Sequence, residues 1–323
     1  MLITTSNTKR PKMLITGGAG FIGSNLVRAC LAQGRPVTVL DNFSTGFREN
    51  LSDIQDQIQL IEGSIEDLAT VQQAVQGQPE VIHLAALGSV PRSLKDPLAT
   101  HAVNATGFLN VLAACGAAGV RRLVYASSSS VYGDSPTLPK REAETGQVLS
   151  PYAATKAINE HYARTLAPVY GLSAIGLRFF NVFGPRQSPA GAYAAVIPKF
   201  IDAATKAEPL QIYGDGLQSR DFTYVSNVIE AILQAVDAPL LEGQAQVCNI
   251  GCGETISLNE IAQAIVDGTG SSSAIVHVAP RPGDIRHSLA DIAHARRILG
   301  YQPQVSVRTG LQQTIAWFKS IPS

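Results

Sequence analysis

Charge is scarce in this sequence of 323 residues, and the two signs cancel. Only 15% of the residues are charged, against about a quarter in a typical soluble protein. The 25 basic residues balance the 25 acidic ones, so the formal net charge at pH 7 is zero. Without a basic face, general binding of nucleic acid is not expected.

Clustered cysteines, clustered histidines and long apolar runs are also missing. The four cysteines are too few and too scattered for a disulfide framework, and the six histidines are dispersed, so no metal site is expected. A run of about 18 uninterrupted apolar residues, which a membrane span would need, does not occur. The first twelve residues lack the apolar core of a secretion signal. We therefore expect a cytoplasmic protein without nucleic-acid or membrane partners.

The first half of the sequence alternates short apolar runs with longer amphipathic stretches. The apolar runs are typical of strands buried on both faces and occupy residues 13–16, 36–40, 58–61, 81–84, 123–126 and 173–177. The amphipathic stretches have a helical pattern and occupy residues 21–33, 65–75, 98–118 and 151–169. This alternation predicts an α/β fold with a doubly wound parallel sheet of Rossmann type.

The pattern changes after residue 181, where proline and glycine become denser. This composition indicates a smaller and more irregular α/β domain, built from discontinuous pieces. The strand-like run at residues 246–250 is expected to return to the main sheet. We therefore predict a first domain at residues 1–180, which residues 222–256 rejoin, and a smaller discontinuous domain at residues 181–323.

A glycine-rich segment follows the first predicted strand and opens the first predicted helix. Gly17, Gly20 and Gly23 have the spacing of a dinucleotide-binding turn, where the backbone approaches a pyrophosphate at the helix start. Asp41 ends the next strand, 18 residues after Gly23. A carboxylate there can accept hydrogen bonds from the adenosine ribose and repel a 2′-phosphate. The pattern therefore predicts NAD rather than NADP.

Tyr152 and Lys156 are four residues apart in a predicted helix, so both side chains project from one face. The ordinary pKa of a tyrosine is about 10. A neighbouring ammonium, together with the positive charge of an oxidised nicotinamide, favours the phenolate and so lowers this pKa. Ser127, Ser128, Ser129 and Ser130 follow the predicted strand at residues 123–126, at the strand end where open α/β sheets bind ligands. These residues predict a proton-transfer site beside the dinucleotide.

Further motifs lie along the chain, in the order HLAALGSV, SSSSVYG, YAATK, LRFFNVFGP and RPGD. Together with TGGAGFIG and Asp41, they make nearly the whole chain similar to the extended short-chain dehydrogenase/reductase family. The likeness is strongest towards its NAD-dependent nucleotide-sugar 4-epimerases. GSVPRS and GAYAAVIPKF further resemble a bacterial branch that acts on UDP-N-acetylhexosamines and their uronic acids. Because family members pair two long helices, the resemblance also implies a homodimer through residues 98–118 and 151–169.

The resemblance implies catalytic roles for four residues. Tyr152 is the base, and Lys156 lowers its pKa and holds the nicotinamide ribose. Ser128 matches the hydroxyl that relays the proton, and Ser129 could share or take that role. The implied reaction inverts carbon 4 of a UDP-hexose through a transient 4-keto sugar, and NAD is regenerated. UDP-N-acetylglucosamine is the expected substrate, as the neutral sugar or the uronic acid, and UDP-glucose stays open as an alternative.

The resemblance also implies two sets of binding residues. The cofactor set is Gly17, Gly20, Phe21, Ile22, Gly23, Asp41, Asn42, Ser44, Thr45, Gly46, Ser64, Ile65, Leu84, Ala85, Ala86, Asn104, Ser127, Tyr152, Lys156, Phe179 and Val182. The substrate set is Gly88, Ser89, Ser128, Ser130, Asn181, Ala195, Val196, Lys199, Tyr213, Arg220, Arg281, Asp284 and Ser288. Ser64 departs from the family, which carries Asp there, so the expected hydrogen bond to adenine is weaker.

Sister enzymes with the same Tyr–Lys pair are the main alternatives. Sugar dehydratases of the family place Asp-Glu, and decarboxylases place Glu, where this sequence has Ser129 and Ser130. A serine hydroxyl cannot protonate a leaving hydroxyl near neutral pH, which favours epimerisation. A non-catalytic NAD-binding protein on the same fold is a further alternative. The joint presence of Tyr152, Lys156 and Ser128 argues against it.

Overall fold

The computed structural model describes residues 10–190, 194–239, 242–280 and 286–320. The strands are β1 (Met13–Thr16), β2 (Val37–Asp41), β3 (Ile58–Glu62), β4 (Glu80–His83), β5 (Arg122–Ser128), β6 (Ser173–Phe179), β7 (Val182–Phe183), β8 (Leu210–Tyr213), β9 (Ser219–Arg220), β10 (Thr223–Tyr224), β11 (Ala245–Ile250), β12 (Ile256–Ser257), β13 (Ile275–Val278) and β14 (His287–Ser288). The helices are α1 (Phe21–Ala32), α2 (Leu68–Val75), α3 (Val90–Lys95), α4 (Pro97–His101), α5 (Gly107–Ala117), α6 (Pro151–Tyr170), α7 (Val196–Thr205), α8 (Val225–Asp237), α9 (Leu258–Thr269), α10 (Ala293–Leu299) and α11 (Val307–Ser320). A π-helical segment at Ala102–Thr106 joins α4 to α5, and 3₁₀ turns occupy Arg48–Asn50, Ser52–Gln57 and Ser129–Tyr132.

Seven parallel strands form the main sheet, in the spatial order β3-β2-β1-β4-β5-β6-β11. Helices α1 and α8 pack on one face, and α2, α5 and α6 pack on the other. Every residue of β1, β2, β4 and β6 is buried, because both faces of the sheet are covered. The predicted doubly wound α/β fold of Rossmann type is confirmed.

All six strands predicted in the first half are present, with boundaries that differ by at most two residues. The largest differences are in β5 and β6, which extend beyond the apolar runs through Ser127, Ser128 and Arg178. The backbones of these three residues remain paired in the sheet, but their side chains are polar. Hydrophobic periodicity ends earlier than the hydrogen bonding because these residues contribute to a site instead of the apolar core.

Two predicted helices differ from the structure at their N-terminal ends. The stretch at residues 65–75 becomes helical only at Leu68, because the Asp67 carboxylate caps α2 by accepting a hydrogen bond from the Ala69 backbone at 3.1 Å. The stretch at residues 98–118 begins at Pro97, after the Asp96 side chain caps α4. It also contains the π-helical segment, a feature often found near functional sites.

The combined helix Pro97–Ala117 is long and apolar enough to cross a membrane by length and composition alone, with a mean hydropathy of 1.2. Half of that apolar window is buried within this fold. Its inner face packs against α2 and α6, as in the core helix of a globular domain.

After β6 the chain alternates between the main sheet and smaller sheets. The run expected at residues 246–250 forms β11, which pairs in parallel with β6 at the edge of the main sheet. Strands β8 and β13 pair with each other, and β9 lies between β12 and β14. The division into domains at residues 180 and 181 stays a prediction.

The strand order reverses between β1 and β4. From β1 the chain runs outwards through β2 and β3, and then crosses to β4 on the other side of β1. The connections on either side of this point diverge, so a crevice opens at the carboxyl ends of the two strands. A ligand site is therefore expected at this edge of the sheet.

Gly176 in β6 is required by close packing within the sheet. A Cβ at this position would lie 2.6 Å from the hydroxyl oxygen of the buried Tyr125 side chain. We expect Gly176→Ala to lower the free energy of unfolding by about 1–3 kcal/mol, as for other overpacked cores. Chemical denaturation would measure the change. Gly88→Ala is the control, because no atom lies within 4 Å of a Cβ there; an equal loss in both variants would contradict the explanation.

Candidate functional site

The glycine-rich turn forms the floor of the crevice between β1 and α1. Gly17 has a φ of +73°, and a Cβ there would lie 2.6 Å from the Ala85 backbone nitrogen. A Cβ on Gly23 would lie 2.1 Å from the Gly17 carbonyl oxygen. Gly20 is the N-cap of α1 and has no side chain with which to cap the helix. Glycine at these positions therefore lets the backbone pass close to β4 and presents the positive end of α1 to the crevice.

Asp41, at the end of β2, lies beside this turn and is 7% exposed. One carboxylate oxygen accepts a hydrogen bond from the Ala19 backbone at 2.8 Å, and the other accepts one from the Phe43 backbone at 2.8 Å. The side chain is therefore fixed by main-chain donors on both sides. Each carboxylate oxygen retains a further lone pair with which it can accept a hydrogen bond from a ligand.

Tyr152 and Lys156 lie on successive turns at the start of α6. The Ser150 hydroxyl caps this helix by accepting a hydrogen bond from the Ala153 backbone at 3.2 Å, and Pro151 occupies the first helical position. The Lys156 ammonium donates a hydrogen bond of 2.8 Å to the Ala126 carbonyl oxygen and lies 6.0 Å from the centre of the Tyr152 ring. Helix α6 therefore places both side chains against the end of β5.

Burial shifts the pKa values of both residues. It lowers the pKa of Lys156 to about 8, an effect that the negative charge of Glu160 opposes. Burial raises the pKa of Tyr152, whereas a hydrogen bond with Ser128 lowers it. Lys156 therefore carries its charge at neutral pH. Tyr152, by contrast, requires further positive charge in the crevice before it ionises readily.

The four serines after residue 126 separate into distinct environments. Ser127 donates a hydrogen bond of 2.5 Å to Glu160, on the α6 side of the sheet. Ser128 lines the same cavity as Tyr152, lowers the pKa of Tyr152, and accepts a hydrogen bond from the Ser130 backbone at 3.1 Å. Ser129 starts the following 3₁₀ turn. Of these serines, Ser128 is thus the one that acts on the tyrosine.

A cavity of about 370 Å³ extends along the crevice from the glycine turn to the Tyr–Lys pair. It brings together 19 of the 21 predicted cofactor residues: Gly17, Gly20, Phe21, Ile22, Gly23, Asp41, Asn42, Ser44, Thr45, Gly46, Ile65, Leu84, Ala85, Ala86, Ser127, Tyr152, Lys156, Phe179 and Val182. Gly88 and Ser128, predicted for the substrate, also line it. Residues that line it and that the sequence did not indicate are Leu40, Gly63, Val103 and Ala126.

The two remaining cofactor residues lie beside this cavity. The Ser64 hydroxyl donates a hydrogen bond of 3.1 Å to Glu66 in a local turn. Asn104, in the π-helical segment, binds both the N–H and the carbonyl of Leu87, at 2.8 and 3.1 Å. It therefore fixes the loop that carries Ala85 and Gly88.

A second cavity, of about 480 Å³, adjoins the serines and includes residues from the later part of the chain. It brings together Ser129, Ser130, Asn181, Arg220 and Ser288 from the predicted set. The Arg220 guanidinium donates hydrogen bonds of 3.0 and 3.1 Å to the carbonyls of Ser219 and Arg286, which orient it. Further residues here that the sequence analysis missed include Tyr132, Asp134, Lys140, Arg286 and His287. No local motif indicates them, because the segments that carry them meet only in the folded chain.

Five further predicted substrate residues in the described ranges do not line either cavity: Ser89, Ala195, Val196, Lys199 and Tyr213. Ser89 caps α3 through a hydrogen bond from the Arg92 backbone at 3.2 Å. Ala195, Val196 and Lys199 lie at the start of α7, and Tyr213 ends β8. Arg281 and Asp284 lie outside the described residues.

No cluster of metal ligands was found in the described parts of the chain. Among residues 10–190, 194–239, 242–280 and 286–320, three or more His, Cys, Asp or Glu side chains do not converge on a point that could hold a metal ion. All four cysteines are free thiols.

Comparison with known proteins identifies the family of this chain. Residues 13–251 match the model of the NAD-dependent epimerase/dehydratase family. The chain belongs to this family. The resemblance to extended short-chain dehydrogenases/reductases is thereby confirmed, and so is NAD as the cofactor.

Individual relatives in the family differ in activity. A UDP-glucose 4-epimerase of Mycolicibacterium smegmatis is 38% identical over 313 residues, covering 96% of this chain and 99% of the relative. A UDP-N-acetyl-α-D-glucosaminuronate decarboxylase of Bacillus cytotoxicus is 36% identical, covering 97% and 99%. The structure of a UDP-N-acetylglucosamine 4-epimerase of Methanobrevibacter ruminantium, in complex with UDP-N-acetylmuramic acid, is 38% identical with a TM-score of 0.91, covering 97% and 99%.

The first cavity fits the cofactor that the family uses. Its glycine turn has space for a phosphate where a Cβ would collide with the backbone, and the N-terminus of α1 favours negative charge. The buried Asp41 carboxylate lies at the end of the neighbouring strand, as a ribose acceptor requires. These features suit NAD and disfavour a 2′-phosphate.

We expect Asp41→Asn to weaken NAD binding by at least about tenfold, because a charged acceptor contributes more than a neutral one. The amide nitrogen of the variant also cannot accept one of the two main-chain hydrogen bonds. Calorimetric titration of NAD-free protein would measure the affinity. Asp53→Asn is a control, since this exposed carboxylate pairs with Arg28 on α1; equal affinity in both variants would refute the role of Asp41.

Proposed function

We propose that this protein is an NAD-dependent epimerase that inverts carbon 4 of a UDP-hexose, with UDP-N-acetylglucosamine or its uronic acid as substrate. The observation that carries the proposal is the convergence of Ser128, Tyr152 and Lys156 in the first cavity, at the junction that Ser129 and Ser130 form with the second. A sugar in the second cavity would present its ring to this junction while NAD occupies the first. Family membership and the relatives that epimerise UDP-sugars support the same reaction.

The proposed proton transfers use Tyr152 and Ser128. The Tyr152 phenolate accepts the proton of the sugar's 4-hydroxyl, with Ser128 relaying it, and returns it after the ring has turned. Bound NAD supplies the hydride acceptor and donor for carbon 4, so the sugar passes through a transient 4-keto form. A base whose pKa lies near the operating pH suits this reversible exchange. Of the two serines considered for the relay, Ser128 lines the cavity together with the base and lowers the pKa of the base.

Lys156 has two proposed tasks in this scheme. Its ammonium has three N–H donors, of which Ala126 accepts one, so donors remain for the nicotinamide ribose. Its charge also favours the phenolate form of Tyr152. With a Lys156 pKa of about 8, the second task is fulfilled at neutral pH and is lost as the pH rises above that value.

The proposed substrate contacts lie in the second cavity. The planar Arg220 guanidinium suits the oxygens of a diphosphate. Asn181 lies close by, held by a hydrogen bond of 3.0 Å from its amide to the Asp221 carbonyl, and Ser288 faces the same space. The preference for an N-acetylated sugar rests on the likeness of GSVPRS and GAYAAVIPKF to the N-acetylhexosamine branch.

Decarboxylation is the second candidate, because the Bacillus cytotoxicus relative is a decarboxylase. Such chemistry would need an additional acid or base beside the sugar. Ser129 and Ser130 occupy the positions where the resemblance places such a group. Asp134 also lines the cavity, but one of its carboxylate oxygens accepts a hydrogen bond of 2.7 Å from the Gln147 backbone. This arrangement favours epimerisation.

The test is NMR of the purified protein with UDP-N-acetylglucosamine and no added NAD. We expect signals of the galacto epimer to appear, because the cofactor is regenerated and retained. Parallel samples with UDP-glucose and with UDP-N-acetylglucosaminuronic acid would identify the preferred sugar. A pentose product from the uronic acid would show decarboxylation. No turnover of any sugar after adding NAD would overturn the proposal in favour of a binding protein.

Tyr152→Phe tests the base directly. We expect its epimerisation rate to fall by at least about a hundredfold, in the range that general acid–base groups contribute, while NAD stays bound. Tyr170→Phe, at the other end of α6, is the matched control and should retain the wild-type rate. A Tyr152→Phe variant as active as the control would remove Tyr152 from the mechanism.

We further propose a homodimer through α4, the π-helical segment, α5 and α6. Leu98 in α4 is 82% exposed, and Leu94 in the adjoining helix α3 is 64% exposed, which is unusual for leucine. A groove of about 280 Å³ between the helices is lined by His101, Ala105, Thr106, Leu109, Ile158, His161 and Tyr162. A second copy would cover this apolar face by two-fold symmetry.

Light scattering should therefore give twice the mass of one chain, and Leu98→Glu should give the mass of one chain. The buried carboxylate would be unpaired in the interface, which is costly. Leu217→Glu serves as the control, because Leu217 is also exposed, at 56%, but lies away from these helices. A wild-type mass that corresponds to one chain at all concentrations would reject the dimer.

A further inference from the structure

Glu160 is a buried carboxylate on α6, one helical turn beyond Lys156. It is 6% exposed and accepts hydrogen bonds from two elements of the sheet. One oxygen accepts from the Ser127 hydroxyl at 2.5 Å and from Arg178 Nε at 2.9 Å, and the other accepts from Arg178 Nη2 at 2.7 Å. A buried carboxylate is stable only with such partners, so α6, β5 and β6 are joined at this point.

The point where Glu160 joins α6, β5 and β6 is next to the proposed catalytic pair. Ser127 and Arg178 are opposite each other in the register of β5 and β6. On one side of Ser127 the Ala126 carbonyl accepts the Lys156 hydrogen bond, and on the other side Ser128 lines the first cavity together with Tyr152. Glu160 therefore fixes the strand end that both members of the pair face.

The charge of Glu160 also acts on Lys156. Burial disfavours the ammonium form of Lys156, and the negative Glu160 carboxylate favours it. In the described part of the chain, the other titratable groups near Lys156 are Tyr152 and His83. His83 is uncharged at neutral pH, because burial lowers its pKa to about 3. The charge of Arg178 is balanced by its ion pair with Glu160, at 2.7 Å.

We propose that Glu160 is a positioning residue for the reaction, which holds the end of β5 against α6 and maintains Lys156 as an ammonium. Arg178 anchors the Glu160 carboxylate and does not contact the reacting groups. The inference rests on the proposed function only in assigning the chemistry to Tyr152 and Lys156. The contacts that support it are properties of the chain alone.

A matched pair of variants, Glu160→Gln and Arg178→Gln, separates charge from structure. Both variants break the same buried ion pair, so a purely structural role predicts similar effects. If the Glu160 charge acts on Lys156, the two variants have different effects on the pKa of Lys156. Loss of the negative charge lowers the pKa of Lys156, whereas loss of Arg178 leaves the Glu160 charge in place and raises the Lys156 pKa or leaves it unchanged.

The primary measurement is NMR titration of Lys156 in NAD-loaded protein labelled with ¹³C at lysine Cε. Lys156→Met assigns the signal. We expect the midpoint to fall by about one pH unit in Glu160→Gln and not to fall in Arg178→Gln. An unchanged midpoint in Glu160→Gln, or equal falls in both variants, would overturn the inference.

Either single variant leaves a buried charge unpaired and risks unfolding. The double variant Glu160→Gln/Arg178→Gln leaves no unpaired charge and still lacks the Glu160 carboxylate. It should show the lowered midpoint as well, and a wild-type midpoint in a folded double variant would refute the role of Glu160.

Activity provides the second measurement. The reaction rate is lost as Lys156 deprotonates. A lower pKa of Lys156 therefore moves the alkaline limb of the pH–rate profile to lower pH. Glu160→Gln should show this displacement with little change in KM. Ser127→Ala, which keeps the charge, should lower kcat without moving the limb. A limb that stays in place in Glu160→Gln counts against the inference.

The titration needs no sugar, so the two proposals can fail separately. If the wild type epimerises a UDP-sugar and the Lys156 midpoint does not move, only the inference fails. If no sugar turns over but the midpoint falls as expected, the proposed function fails, while the control of Lys156 by Glu160 stands.

Discussion

The carboxyl ends of all seven main strands emerge at one edge of the sheet, and the reversal of order between β1 and β4 opens that edge into a crevice. Backbone approach there is so close that a Cβ on Gly17 would collide with the Ala85 nitrogen. The glycine turn, the Asp41 carboxylate and the end of β5 therefore face one narrow space. The proposed chemistry depends on this convergence, because none of the three elements forms a site by itself.

Buried charge is the second constraint on this site. Lys156 is 2% exposed, and Glu160 and Arg178 are also buried. An isolated buried ion is costly. Here Glu160 pairs with Arg178 and accepts a hydrogen bond from Ser127, while Lys156 donates one to the Ala126 carbonyl. The contacts that stabilise these charges therefore also position the proposed catalytic pair at the end of β5.

The second cavity is built differently from the first. The first is lined mainly by residues from one half of the chain, in the order of the strands that carry them. The second joins the 3₁₀ turn after β5 to distant parts of the chain: Asn181 after β6, Arg220 in β9 and Ser288 in β14. Main-chain carbonyls orient the Arg220 side chain.

The parallel sheet, the glycine turn, Asp41 and the Tyr–Lys pair could be predicted from the sequence, because each depends on local spacing or on periodic burial. Most other residues of the first cavity could be predicted only from the resemblance to the family. The folded structure was needed to show that Ser128, and not Ser129, lines the first cavity with Tyr152, and that Ser64 bonds Glu66 in a local turn. It alone brought Glu160 to Ser127 and Arg178, and placed Lys140 and Arg286 in the second cavity. These contacts join residues far apart in the chain, and their geometry depends on how strands and loops pack, which no local pattern records.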